Sequence, residues 1–361
     1  MRSSVLIRAL VFVAALALSL APRISGAEEP SYIKSFDGAT AWFNAPAPLT
    51  LQDVRNKVVL VDFCDYTQLS TLHALPYFLD WYKKYGPTGL AIVSVQVPTF
   101  RFTSDSKNVG DAVKRLGITW PFAIDGKHAI LDRYDASDFT PHLILFDHNG
   151  FRLTSIGGEV SYPQLESLIR TVMAAIHPEI VYPPPMALLP QDSYLKPNAL
   201  NYPRTADILI SADEAIANSP ANLFGDSIEY YDTSPPHADG RFYLQGRWRK
   251  LKDDIVSAGV RGYVGLHYHA KEVAAVMATE HAAPAQVIVT QNGKPLSRDD
   301  AGSDIQYDAQ GQSYVTVDAA RSYDLVMNKR WGTYDLRLYV KSPGVALYAV
   351  NFESAQTGSD Y

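Results

Sequence analysis

The chain of 361 residues carries a formal net charge of −6, and 47% of its residues are hydrophobic. This length exceeds one ordinary domain and the hydrophobic content supports more than one core, so two domains are expected. The acidic and well-mixed surface argues against a nucleic-acid partner and against binding to anionic membrane surfaces.

Residues 1–27 have the pattern of an export signal. Arg2 and Arg8 provide a basic start, Ala9–Ala21 is a short apolar run, and small residues lead up to Ala27. We therefore expect cleavage near Ala27 and a periplasmic or secreted mature protein. Its net charge would be −9, because the removed segment holds three arginines and no acidic residue. No later stretch reaches about 18 uninterrupted apolar residues, so no membrane span is expected after signal removal.

Strand and helix patterns alternate between residues 28 and 177, the predicted first domain. Val58–Phe63 is a continuous apolar run, typical of a strand buried on both faces, and Leu90–Val97 is a second one. Helical apolar spacing marks Thr71–Tyr85. An Asn-Gly turn signal separates two further strands, His142–Phe146 and Arg152–Ile156. This order predicts an α/β sandwich, with a central mixed sheet flanked by helices.

A proline-rich segment, residues 178–204, follows this domain. Its prolines exclude a continuous helix or a central strand, so an extended, semi-rigid linker that packs over one or both domains is expected. Residues 205–361 then show short alternating segments punctuated by turn signals. Many short strands with regular breaks predict an all-β sandwich or jelly-roll domain.

The segment Val58–Tyr77, VVLVDFCDYTQLSTLHALPY, carries a family likeness. It resembles the strand-to-helix entry of TlpA-like and DipZ-like periplasmic thioredoxins, which reads approximately VVLVDFW-T-Y-T-C-x-x-C-L-x-x-L-P-Y. Gln68 and Thr71 stand at the two cysteine positions. The resemblance continues at Leu116–Pro121 and at Thr140-Pro141, where thioredoxin folds keep a cis-proline.

The C-terminal half resembles the sandwich domain appended to DipZ-like proteins, through residues 321–326 and 342–349. The family therefore implies an α/β thioredoxin-like sandwich followed by an all-β, carbohydrate-binding-like domain. It also implies periplasmic thiol–disulfide exchange as the activity.

The residues present contradict that activity. Exchange needs one thiolate to attack and a second thiol to resolve the mixed disulfide, and an amide and a hydroxyl can do neither. Cys64 is the only cysteine of the chain, so it can form no intramolecular disulfide. We interpret Cys64 as a small buried side chain, because the adjacent Asp65 would raise a thiol pKa. The alternative is a thiol-disulfide oxidoreductase or peroxidase-like enzyme that acts through Cys64.

The vacated groove is the predicted binding site, with no catalytic residue expected. An extended peptide could bind there through main-chain hydrogen bonds, and the predicted ligand is an envelope polypeptide or glycan. Ser70 or Thr71 could simply cap the helix, and His73 is expected at the surface unless it faces the groove. The groove residues are Tyr66, Gln68, Thr71, His73, Thr140 and Pro141. If the two halves form one composite unit, the β-domain covers this groove instead.

Two weaker signals lie in the C-terminal half. His267 and His269 fall on one face of a strand, but no third ligand stands at a diagnostic spacing, so no metal and no cofactor are expected. Aromatic residues are frequent there and fit either a sandwich core or stacking on sugar rings. The thioredoxin-like unit could then be a scaffold for a ligand-binding β-domain.

Overall fold

The first half of the chain forms a six-stranded mixed sheet with the order β1-β4-β3-β2-β5-β6. The computed structural model describes residues 31–45, 48–136, 141–158, 160–196, 202–212, 214–219, 225–233, 235–281 and 283–354. The strands are β1 Ala41–Phe43, β2 Val58–Cys64, β3 Leu90–Gln96, β4 Phe122–Ile124, β5 His142–Phe146 and β6 Arg152–Gly157. The helices are α1 Leu69–Tyr85, α2 Ser106–Arg115, α3 Ala129–Tyr134 and α4 Tyr162–Ile176.

Successive side chains of the central strand β2 point to opposite faces of this sheet. Val58 and Leu60 enter one core with α1 and α4, whereas Val59, Val61 and Phe63 enter a second core with α3. Because successive side chains of a strand point to opposite faces, a continuous apolar run requires cover on both. Strand β2 pairs parallel to β3 and antiparallel to β5. The predicted thioredoxin-like sandwich, with a mixed sheet between helices, is therefore confirmed.

The second half is entirely β, as predicted. Its strands are β7 Ile208–Leu209, β8 Ser227–Tyr230, β9 Phe242–Lys250, β10 Ile255–Thr279, β11 Ala285–Gln291, β12 Lys294–Pro295, β13 Gln306–Tyr307, β14 Ser313–Val317, β15 Arg321–Val340 and β16 Val345–Glu353. They form one antiparallel ten-stranded sheet. Two strands are far longer than expected, since β10 has 25 residues and β15 has 20. The register of this pair shifts between Ala270 and Glu272 and again between Val273 and Ala274, so irregularities interrupt the long ladder.

The segment between the halves is anchored to the first half by buried hydroxyl and carboxylate groups. The Tyr77 hydroxyl of α1 donates to Asp192 Oδ2 over 2.7 Å and accepts from the Leu189 amide over 2.9 Å. Glu166 of α4 accepts from the Met186 amide at 2.9 Å. The described residues from Ile33 onward form one compact unit. The division at residues 178–204 into separable domains stays a prediction.

An aromatic cluster also joins the halves. Phe100 and Phe102, in the connection between β3 and α2, stack on each other and pack against Tyr348 of β16, with ring centroids 5.4 and 4.8 Å from it. In the part of the chain that the structure describes, no helix combines the length and apolar character needed to cross a membrane.

Replacing Tyr77 with Phe should destabilise the protein by about 1–3 kcal/mol, because it removes one hydrogen bond to the buried Asp192 carboxylate and the acceptor of the part-buried Leu189 amide. Tyr82→Phe is the matched control on the same helix, since its hydroxyl has no hydrogen-bond partner among the described residues and its ring packs on Trp120. Urea denaturation of both variants measures the difference. Equal losses in the two variants would contradict the anchoring role.

Candidate functional site between the two halves

The turn after β2 is built around a buried carboxylate. Asp65 is 0% exposed and accepts four hydrogen bonds, from the amide and hydroxyl of Thr67, the amide of Thr99 and the hydroxyl of Thr103. Four donors satisfy a charge that would otherwise be costly to bury. The sequence indicates Asp65 only as a charge beside Cys64. Its structural role depends on partners in a distant loop.

Gln68 and Thr71 lie at the start of α1, where the family carries its two cysteines. A helix start near Ser70 agrees with the structure to within one residue, whereas the prediction of a Ser70 or Thr71 cap is wrong. The helix begins at Leu69, and Gln68 occupies the N-cap position without a capping side-chain hydrogen bond. The Asp65 turn already directs the chain into the helix, since the Gln68 amide donates to the Asp65 carbonyl over 2.9 Å.

Thr71 and Cys64 face a small internal cavity of about 20 Å³ rather than an open groove. Asp62 and Ser94 line the same cavity, and the Ser94 hydroxyl donates to Asp62 Oδ2 over 2.8 Å. Burial raises the pKa of Asp62 to about 6. The place of the second family thiol is therefore occupied by a hydroxyl beside a buried acid.

Cys64 does not have the environment of a reactive thiol. Its side chain is 2% exposed and belongs to the core under α1. Burial raises the pKa of the thiol well above its ordinary value, and the nearby carboxylates of Asp62 and Asp65 raise it further. Because the thiolate is the nucleophile in disulfide and peroxide chemistry, this thiol stays protonated and inert.

Two other groove residues are covered by the second half. Tyr66 is 2% exposed, and its hydroxyl donates to the Ala320 carbonyl over 3.4 Å. His73 was expected at the surface, and that expectation is wrong, because it is 6% exposed. Its imidazole lies between Glu272 of β10, at 3.0 Å, and Asp192 of the linker, at 3.5 Å.

The two carboxylates decide the charge of His73. Burial lowers the pKa of the imidazole, but Glu272 and Asp192 raise it more, to a net value of about 9. His73 is therefore an imidazolium at neutral pH, and it links α1, the linker and β10. No local pattern around His73 predicts this contact, because Glu272 is 199 positions away.

A cleft of about 750 Å³ opens beside this ion cluster, at the interface of the halves. Its first wall includes Tyr66, Leu69, Leu72, His73, Arg115 and Leu116, and its second wall includes Lys271, Glu272, Arg321, Asp324, Met327 and Lys329. Clefts of this size accommodate small ligands and short peptide segments. Of the predicted groove residues, Tyr66 and His73 line this cleft, whereas Gln68, Thr71 and Pro141 do not.

The cis-proline prediction falls partly outside the described residues, because Thr140 is not among them. Pro141 is buried, and its carbonyl accepts a hydrogen bond from the Gly158 amide at 2.8 Å. This contact joins β5 to the end of β6. The conformation of the Thr140–Pro141 bond stays a prediction.

The two histidines of β10 are bound by separate carboxylates. His267 Nδ1 lies 2.8 Å from Asp335, and His269 Nδ1 lies 3.2 Å from Asp239. Within the described ranges, no cluster of three His, Cys, Asp or Glu side chains has the geometry to hold a metal ion. Among the aromatic residues of this half, Tyr230, Trp248 and Tyr268 belong to its hydrophobic core.

The stability that His73 contributes should depend on pH. Its pKa is raised from 6.5 to about 9 on folding, so this stabilisation is complete below pH 6.5 and is lost as the pH rises through 9. Such a shift corresponds to about 3 kcal/mol. Denaturation of the wild type and His73→Gln at pH 6, 8 and 10 should show a difference that shrinks with pH. Glu272→Gln should reduce the same pH dependence, and a pH-independent difference would refute the assignment.

Cys64 should resist alkylation. The folded protein is treated with iodoacetamide at pH 8, and we expect no modified cysteine by mass spectrometry until denaturant is added, because the thiol is buried and protonated. Rapid modification of the native protein would restore the enzymatic alternative.

The second half matches a recognised family. Residues 209–352 match the thioredoxin-like C-terminal domain. DipZ of Mycobacterium tuberculosis is 29% identical over 262 residues, which is 72% of this chain and 36% of that protein. The chain thus spans about a third of the length of these relatives. NHL repeat-containing protein 2 of Bos taurus is 29% identical over 139 residues, 38% of this chain and 19% of that protein.

Solved structures are similar to a part of the chain. A thiol-disulfide isomerase from Corynebacterium glutamicum has 18% identity and a TM-score of 0.37, and it covers 41% of this chain and 99% of its own. A DsbE-type putative thiol:disulfide interchange protein from Chlorobium tepidum has 20% identity and a TM-score of 0.32, over 35% of this chain and 86% of its own. The chain is therefore similar to DipZ over most of its length, its residues 209–352 match the thioredoxin-like C-terminal domain, and its single cysteine excludes a CxxC dithiol.

Proposed function

We propose that this protein is a redox-inactive binding protein of the cell envelope, and that its ligand occupies the cleft between the two halves. The observation that carries the proposal is the position of this cleft. It adjoins the start of α1, where the relatives would carry reactive thiols, and both halves contribute its walls. Binding pockets occur preferentially at such interfaces.

The missing chemistry supports a binding role over catalysis. The chain has one cysteine, and that side chain is buried with a thiol pKa well above its ordinary value. A thiol-disulfide or peroxidase-like reaction through Cys64 would need a thiolate that substrate can reach. The envelope location is part of the proposal and rests on the export pattern of residues 1–27 together with the similarity to DipZ.

The composition of the cleft favours a polypeptide over a glycan. Leu69, Leu72, Leu116 and Met327 give it aliphatic surfaces that suit peptide side chains. Sugar rings usually stack on exposed aromatic faces, and Tyr66, the one aromatic side chain among the described cleft residues, is 2% exposed. We therefore place a polypeptide segment first among the possible ligands.

The cover over the predicted groove changes how such a segment would bind. Tyr66 and His73 contact the second half, so an extended peptide lying directly over them would have to displace those contacts. Occupation of the neighbouring cleft needs no such opening. The proposed mode is therefore side-chain recognition between two walls, rather than addition of a strand to the first sheet.

The test uses the full-length folded protein, immobilised, and two defined probes. One probe is a pool of random heptapeptides with acetylated and amidated ends, and the other is an array of neutral oligosaccharides. The variant Ser303→Trp places an indole at an exposed position of the cleft wall, and Gln310→Trp adds the same group at an exposed turn that does not line it.

We expect the wild type and Gln310→Trp to retain a subset of the peptides, and Ser303→Trp to retain about tenfold less, because the indole fills the cleft. If the wild type retains only oligosaccharides and Ser303→Trp abolishes that retention, the cleft is still the binding site, but its ligand is a glycan rather than a polypeptide. Failure of the wild type to retain either probe, or retention unaffected by Ser303→Trp, would refute the proposed site.

A further inference from the structure

We propose that Arg115 anchors a carboxylate of the bound polypeptide, so that the cleft selects acidic segments. This inference rests on the proposed function and specifies the chemistry of its ligand. Arg115 is the last residue of α2, it is exposed, and it lines the cleft next to Leu116. It stands on the first half and faces the second.

The other arginine of the cleft is already committed to protein partners. Arg321 of β15 donates to both carboxylate oxygens of Asp304, at 2.8 and 3.0 Å, and to the Ser322 carbonyl at 3.1 Å. Its guanidinium also lies over the Tyr323 ring, 3.7 Å from the centroid. Such a bidentate, stacked guanidinium is fixed in place and contributes little free hydrogen-bonding capacity.

Lys329 is likewise paired, since its ammonium lies 2.7 Å from Asp299. The carboxylates deeper in the cleft are also occupied. Glu272 pairs with His73 at 3.0 Å, and Asp324 accepts a hydrogen bond from the Ser303 amide at 2.7 Å. Among the described residues, the cleft carboxylates Glu272, Asp299 and Asp304 thus each have a basic partner other than Arg115.

Arg115 has no carboxylate oxygen within 4.0 Å among the described residues. Arg115 and Arg321 line the same cleft, and, after desolvation, the charge of Arg321 is the main influence that lowers the pKa of Arg115. Two guanidinium groups in one partly enclosed cleft repel each other. An anion bound between them, or beside Arg115, reduces that repulsion. An unpaired arginine also matches the planar, bidentate geometry of a carboxylate.

The neighbouring surfaces define which carboxylate would fit. Arg115 lines the cleft together with Tyr66 and the adjacent, aliphatic Leu116. A glutamate or aspartate side chain flanked by apolar residues satisfies the guanidinium and the aliphatic wall together. This combination points to an acidic residue within an otherwise apolar peptide segment.

The experiment compares two matched pools on the full-length protein. Each pool contains heptapeptides with acetylated and amidated ends and random aliphatic residues around a central position, which is Glu in one pool and Gln in the other. The variants are Arg115→Gln and the control Lys114→Gln, which removes a cation from an exposed neighbouring position of α2 that does not line the cleft. Circular dichroism and thermal melting confirm that both variants are folded.

We expect the wild type and Lys114→Gln to prefer the Glu pool by about tenfold, as a charge-assisted hydrogen bond would give, and Arg115→Gln to lose that preference. Equal retention of both pools by the wild type, or a Glu preference that survives in Arg115→Gln, would overturn the assignment of Arg115 and leave the binding site intact. If the wild type retains neither pool, the proposed function itself fails.

Discussion

The ion cluster of His73, Glu272 and Asp192 is the contact on which the arrangement of the chain depends. Three segments meet there, since His73 lies on α1, Asp192 lies in the linker and Glu272 lies on β10. All three side chains are buried: His73 is 6% exposed, Asp192 0% and Glu272 3%. A carboxylate is buried at acceptable cost only when it is paired, so removing the imidazolium would take a charged partner from both carboxylates, although Asp192 would keep its hydrogen bond from Tyr77.

This cluster also relates the absence of the two family thiols to the covering of the groove by the second half. A thiol-disulfide enzyme must expose the first turn of its active-site helix to a disulfide-bonded substrate. Here the same turn carries a histidine that holds the second half in place, and Tyr66 contacts that half as well. The surface that remains accessible is the cleft at the edge of this interface. The proposed ligand site is therefore the space between two walls rather than the helix start.

Much of the fold could be predicted from local patterns. The apolar run of β2 required cover on both faces, and the structure supplies two separate cores for its alternating side chains. The β character of the second half followed from its short alternating segments. The lengths of β10 and β15 could not be predicted in the same way, because their register shifts and pairings with several strands depend on neighbours remote in sequence. The helix cap was assigned to the wrong residue because Asp65, rather than a hydroxyl side chain, organises the turn.

The sequence by itself determined that the chain cannot perform dithiol exchange, since Gln68 and Thr71 replace the cysteines and one thiol remains. It also determined the order of strands and helices, because that information lies in spacing over a few residues. Only the tertiary structure decided that His73 is a buried cation, that Cys64 adjoins a small cavity, and that Arg115 lines a cleft without a carboxylate partner among the described residues. Each of these properties depends on which distant residues lie within a few ångströms, and burial and charge pairing at that range are fixed by packing rather than by sequence neighbours.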